Sequence, residues 1–153
     1  MGLVRSIVDR FFRFSRRCLR LPQPTEDARH LLGREGERLA ARFLRRHCYK
    51  ILYRNFRAPH GGEADLVCRD KGTDTLVFVE VKTRRGLGYG TPAEAVTSDK
   101  QQLIIRGALA WLRLLDRPGV PVRFDVVEIL ITDNRPDIQL IKHAFTAPNL
   151  YVQ

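Results

Sequence analysis

The chain is poor in the soft and paired ligands that build metal ribbons or disulfide scaffolds. Cys18, Cys48 and Cys68 are odd in number and share no close spacing. That excludes a zinc ribbon and a disulfide framework, points to a reducing compartment, and makes the three read as small apolar fillers. His30, His47, His60 and His143 are equally scattered, no two of them at i, i+4 on one helix, so no histidine metal site is expected. No apolar run approaches the roughly 20 residues that cross a bilayer, and the first segment lacks the unbroken apolar stretch of a secretory signal. A soluble, cytoplasmic protein is expected. Lysine is scarce too: of the 27 cationic side chains, only Lys50, Lys71, Lys82, Lys100 and Lys142 are lysines.

What is present begins with charge. Against the 27 cations stand 17 acids, a formal net charge of +10 with a pI near 10.3. Such a balance favours a polyanionic partner, nucleic acid or an anionic surface. The arginine bias suits phosphate, whose oxygens match the planar guanidinium fork. At 153 residues and 44% apolar content, the chain is long enough for one domain with a substantial core.

Residues 1–30 read as a separate basic extension, with seven arginines against Asp9, Glu26 and Asp27 and a break at Pro22-Gln23-Pro24. Val4, Ile7, Val8, Phe11, Phe12, Cys18 and Leu19 follow helical spacing, with arginines on the other face. This amphipathic helix suits docking on the domain, contact with nucleic acid, peripheral contact with a membrane, or a transit-type peptide. Residues 31–147 read as the domain proper and 148–153 as a tail. A helix is expected over 31–47, strands over 49–58, 63–69 and 75–83, a second helix over 98–116, and strands over 120–131 and 138–144. The glycines of 84–92 mark a loop. Helix, three strands, helix, strand, strand gives an α/β sandwich with a mixed sheet, the first three strands a meander and the second helix a crossover.

Two polar interruptions stand out in adjoining apolar runs: Glu63-Ala-Asp65 opening one strand and Glu80-Val-Lys82 closing the next. A turn centred near Gly72 pairs residues whose numbers sum to 145, setting Asp65 against Glu80 and Glu63 against Lys82. Alternation would then project all four to one side. Like charges directly opposite are destabilising, so a divalent cation on Asp65 and Glu80, with Lys82 beside it, is the economical way to offset the repulsion.

Asp65, fourteen intervening residues, then Glu80-Val-Lys82, set between two helices, resembles the PD-(D/E)xK nuclease superfamily. Gly33-Arg34-Glu35-Gly36-Glu37, Ala40, Tyr49-Lys50-Ile51-Leu52 with Asn55, Gly62-Glu63-Ala64-Asp65-Leu66, Phe78-Val79-Glu80-Val81-Lys82, Lys100, Arg123-Phe124-Asp125 and Ala144-Phe145 narrow this. Together they resemble the YraN family of bacterial proteins with a nuclease-like fold related to Holliday-junction resolvases. The likeness covers about 31–145; residues 1–30 fall outside it, and Ala64 stands where a larger aliphatic residue is usual.

The resemblance implies a restriction-endonuclease-like αβββαβ core and a metal-dependent endonuclease acting on structured DNA. Asp65 and Glu80 would be carboxylates for Mg2+ or Mn2+, with Glu37 completing the shell. Lys82 would orient or activate the attacking water and stabilise charge developing on the phosphate. Glu35 is the alternative helix acid, and Glu63 a secondary metal candidate or else a partner for Lys82 or an arginine. Arg84, Arg85 and Lys100 are the expected phosphate contacts, with recognition by shape, as at a branch, flap or junction. A homodimer suits cleavage of two strands. Asp125 beside Arg123 reads as structural, and Trp111 and Phe145 as core. Two other classes compete: a non-catalytic nucleic-acid-binding module of the same fold, and a protein-interaction factor docked by its basic tail. A pure binding module has no use for two acids beside a phosphate path.

Overall fold

In a computed structural model, residues 28–85, 96–116, 119–133 and 135–147 are described. Leu76-Val77-Phe78-Val79, apolar on both faces, lies in the first half of β3 (Thr75–Arg85) and is wholly buried. That strand is third of five in a single sheet ordered β1-β2-β3-β4-β5, the others being β1 (Tyr49–Ala58), β2 (Gly62–Asp70), β4 (Val122–Thr132) and β5 (Arg135–Phe145). β1, β2 and β3 form the antiparallel meander, β3 and β4 run parallel, and β5 returns antiparallel at the edge. The expected mixed sheet is therefore present. From Leu66↔Val79 to Asp70↔Thr75, every β2–β3 pair sums to 145, as the turn at Gly72 requires.

Helix α1 (Ala28–Arg46) lies on one face, burying Ala40, Ala41 and Leu44 against Leu66, Cys68, Val77, Val79, Val127 and Ile129. Arg45 and Arg46 end it, where cations complement the negative pole of the helix. Helix α2 (Ser98–Leu114) crosses from β3 to β4 on the other face. Its Ile104, Ala108, Trp111 and Leu112 meet Leu52, Phe56, Val67, Phe78 and Phe124. The Trp111 ring is 1% exposed and makes edge contacts with Tyr53 and Phe56, while Phe78, Phe124 and Phe145 stack in a row across three strands. Trp111 is core as expected, and Phe145 is partly buried against it.

Two expectations are corrected. Cys48 is not an apolar filler: it is exposed, at a left-handed φ of 65° in the turn that carries α1 into β1. Cys68 is buried and does fill the core, its thiol pushed up by burial. β5 starts earlier than apolar patterning indicates, at Arg135-Pro136, because an edge strand needs only one neighbour and tolerates a residue without N–H. The expected N-terminal amphipathic helix, the glycine loop beyond Arg85 and the C-terminal tail lie outside the described residues, apart from the last three residues of the 1–30 segment, which open α1.

Candidate active site

The acids gather where the β2–β3 ladder ends. Beyond Leu66↔Val79 the strands separate, and the Asp65 carboxylate fills the gap, its Oδ2 accepting the Val81 N–H at 2.8 Å. On the other side, the β1–β2 pairing passes from Arg54↔Leu66 to Phe56↔Ala64 without a pair at Asn55 and Asp65, and Asn55 sits at a left-handed φ of 54°. Asparagine accepts that conformation more readily than most residues. As a result the strict alternation assumed from sequence fails: Ala64 packs on the α2 side and Leu66 on the α1 side, though only two residues apart.

The side chains still converge, by a different route. Glu80 is 3% exposed, with Lys82 Nζ at 2.9 Å from its Oε1 and Lys100 Nζ at 3.2 Å from its Oε2. Lys82 thus serves Glu80 and not Glu63. Glu63 pairs instead with Arg57, its neighbour across β1, and with Lys100. Lys100 comes from the first turn of α2, which Thr97 caps. That helix can lie close because Gly107 sits directly on the Glu63 backbone, where an added Cβ would stand 2.6 Å from the Glu63 carbonyl oxygen. On the opposite face, Gly36 of α1 contacts Thr83 with the same intimacy. The two glycine contacts bring α1 and α2 against the same end of the sheet.

Burial raises the Asp65 carboxyl to about 7, and the Glu80 charge adds to this, opposed by the Val81 N–H and Lys100; Glu37 also pushes upward. Glu37 is half-buried on α1 and so belongs to this electrostatic neighbourhood, whereas Glu35 is exposed and paired with Arg38. Among the described residues, no three His, Cys, Asp or Glu side chains converge as a ready metal cage. The donor set nevertheless fits a hard cation. It consists of carboxylate oxygens, and Mg2+ commonly takes only one or two carboxylates while keeping several waters. Glu80 Oε2 is buried and makes no hydrogen bond despite the nearby ammonium, leaving acceptor capacity in the middle of the cluster.

Arg84 and Arg85 continue β3 past the cluster. Arg84 lies 4.0 Å from Glu128 and Arg85 is exposed. Lys100, expected as a phosphate contact, is committed to two acids. Asp125 belongs to a separate buried network: Arg123 donates to both Asp125 oxygens, to Asp70 at 3.0 Å and to the Tyr49 hydroxyl at 2.7 Å, while Asp125 Oδ1 also accepts the His143 N–H at 3.1 Å. Burial works to raise the Asp70 carboxyl, but the Arg123 hydrogen bond and the Gly72 N–H hold it below the usual range. This network ties β4 to β1, β2 and β5 and is structural. The arginine alternative for Glu63 is borne out in Arg57, while its pairing with Lys100 was missed. The Arg57–Glu63 match becomes visible once β1 is paired with β2; Lys100 requires the helix crossing.

Comparison with known proteins agrees with the residue-level resemblance. The model of the family described as Uncharacterised protein family UPF0102 matches residues 36–129. A UPF0102 protein of Nocardia farcinica is 55% identical over 115 residues, 74% of this chain and 88% of the relative. One from Geobacter metallireducens is 50% identical over 114 residues, covering 74% and 91%. Another, from Desulfosudis oleivorans, is 45% identical over 119 residues, covering 78% and 93%. The chain therefore belongs to the UPF0102, or YraN, family.

Proposed function

We propose that this protein is a metal-dependent nuclease, resolvase-like in architecture, that hydrolyses phosphodiester bonds of structured DNA. The observation carrying this reading is the buried Glu80 carboxylate beside Asp65, with one oxygen lacking a hydrogen bond and two lysines within reach. The Arg123 network is also buried and charged, but each of its acids is hydrogen-bonded; here a buried carboxylate oxygen is left without a hydrogen bond, which is costly unless the position is used. Asp65 and Glu80 would hold Mg2+ or Mn2+, with Glu37 adding a carboxylate from α1. When bound, that ion would supply Lewis-acid polarisation of a phosphoryl oxygen and lower the pKa of water. Lys82, paired with Glu80, would orient the attacking water and stabilise charge developing on the phosphate. Arg84, Arg85 and the +10 charge support backbone contacts that position a duplex without reading bases.

A second reading has its own observation. Each Glu80 oxygen already faces an ammonium, so the cluster is neutralised internally, as a non-catalytic nucleic-acid-binding module would require. Incubation with junction, flap, linear and single-stranded DNA, in Mg2+, Mn2+ or EDTA, separates the two. The nuclease reading expects metal-dependent cleavage of at least one branched substrate, abolished by Lys82→Met with binding retained. Tight binding with no cleavage of any substrate in either metal would favour the module.

A further inference from the structure

Lys100 is shared between two acids. Its ammonium forms an ion pair with Glu63 Oε1 and stands 3.2 Å from Glu80 Oε2, to which it makes no hydrogen bond. Glu63 is anchored independently, since Arg57 grips its other oxygen. Lys82 stands on the other Glu80 oxygen, Oε1, at 2.9 Å. Lys100 therefore neutralises Glu80 without being locked to it, and its four-carbon stem lets the ammonium shift toward Glu63 while α2 stays in place.

A divalent ion on Glu80 Oε2 would meet that ammonium at close range, where repulsion between a dication and a monocation is strong. Resting on the reading of Asp65 and Glu80 as metal carboxylates, we propose that Lys100 is a built-in counter-cation. It occupies Glu80 in the metal-free protein and withdraws onto Glu63 when the metal binds, so that Glu63 is its holding point and not a metal ligand. The arrangement keeps the buried acids tolerable without metal and sets the affinity at which metal enters.

Mn2+ binding tests this without reference to cleavage. The full-length protein is titrated with MnCl2 and the free ion followed by its electron paramagnetic resonance signal, for wild type, Lys100→Gln, Glu63→Gln and the double variant. Lys100→Gln should bind about tenfold more tightly, the scale of a little over 1 kcal/mol of relieved repulsion. Glu63→Gln should bind several-fold more weakly, because Lys100 is left with Glu80 alone. The double variant should match Lys100→Gln, since Arg57 already offsets the Glu63 charge. Lys100→Met, which keeps the stem, gives the same reading if the glutamine variant does not fold. Unchanged or weaker binding in the Lys100 variants, alongside saturable binding by wild type, overturns the counter-cation and leaves the metal site standing. A double variant much weaker than Lys100→Gln makes Glu63 a ligand and overturns its holding role. No saturable binding by wild type or any Lys100 variant overturns both the counter-cation and the metal reading.

Discussion

Asp65 is the residue where sequence and structure meet most closely. Its carboxyl ordinarily titrates near 3.8 and is raised to about 7 in the fold, first by burial and then by the Glu80 charge. A raised acid holds its proton more tightly when folded, so ionising it opposes folding. The penalty is absent below 3.8, grows as pH rises, and is complete above about 7. In EDTA, the thermal midpoint of the wild type should therefore carry a component that falls between pH 4 and pH 7. Asp65→Asn should remove that component, since an amide oxygen can still accept the Val81 N–H. Parallel pH profiles for the two proteins would show that Asp65 is not the titrating group. The identities of Asp65, Glu80 and Lys82 were legible in the sequence from two short polar interruptions. Their contacts were not, because register arithmetic assumes an unbroken ladder. Asn55 at a positive φ and the Asp65 carboxylate bonded to a backbone amide both break it.

At the level of elements, strand and helix order was readable because each strand holds a short apolar stretch bounded by turn residues. Residues 49–58 were read as they fold, and the both-faces-apolar run marked the central strand. Helix placement was less readable, since it depends on where a Cβ is missing. Two glycines on α1 make the point. Gly36 lies against Thr83, where an added Cβ would come within 2.9 Å of the Thr83 Cβ, while Gly33 has nothing within 4 Å. Gly36→Ala should cost about 1–3 kcal/mol through overpacking. Gly33→Ala should gain roughly 0.5–1 kcal/mol, the usual difference inside a helix. Urea denaturation of both variants checks the opposite signs, and two equal effects would contradict the asymmetric seating of α1. The Arg123 network makes a stronger prediction. Asp125→Ala leaves a buried guanidinium short of its main acceptor and should destabilise by about 3–5 kcal/mol, whereas a loss below 1 kcal/mol would mean the network is not structural.

For the whole molecule, the strongest sequence signal was the net charge of +10, to which the six arginines and three acids before α1 contribute +3. Among the described residues, no helix is long and apolar enough to cross a membrane. If that basic segment contacts DNA, removing residues 1–27 should weaken binding to a junction and make its dependence on salt shallower, as fewer counterions are released. Measuring affinity between low and moderate salt decides this, and identical slopes for both proteins would assign the segment another role. The family relationship extends over residues 36–129 and so includes every residue of the acid and lysine cluster.

The most direct test of that cluster as a hydrolytic centre is a single-turnover cleavage assay on a branched DNA in Mn2+, comparing wild type with Glu80→Gln at protein concentrations that saturate binding. The account predicts a fall in rate on the order of a hundredfold or more, with DNA affinity unchanged. Equal rates for the two proteins would contradict it.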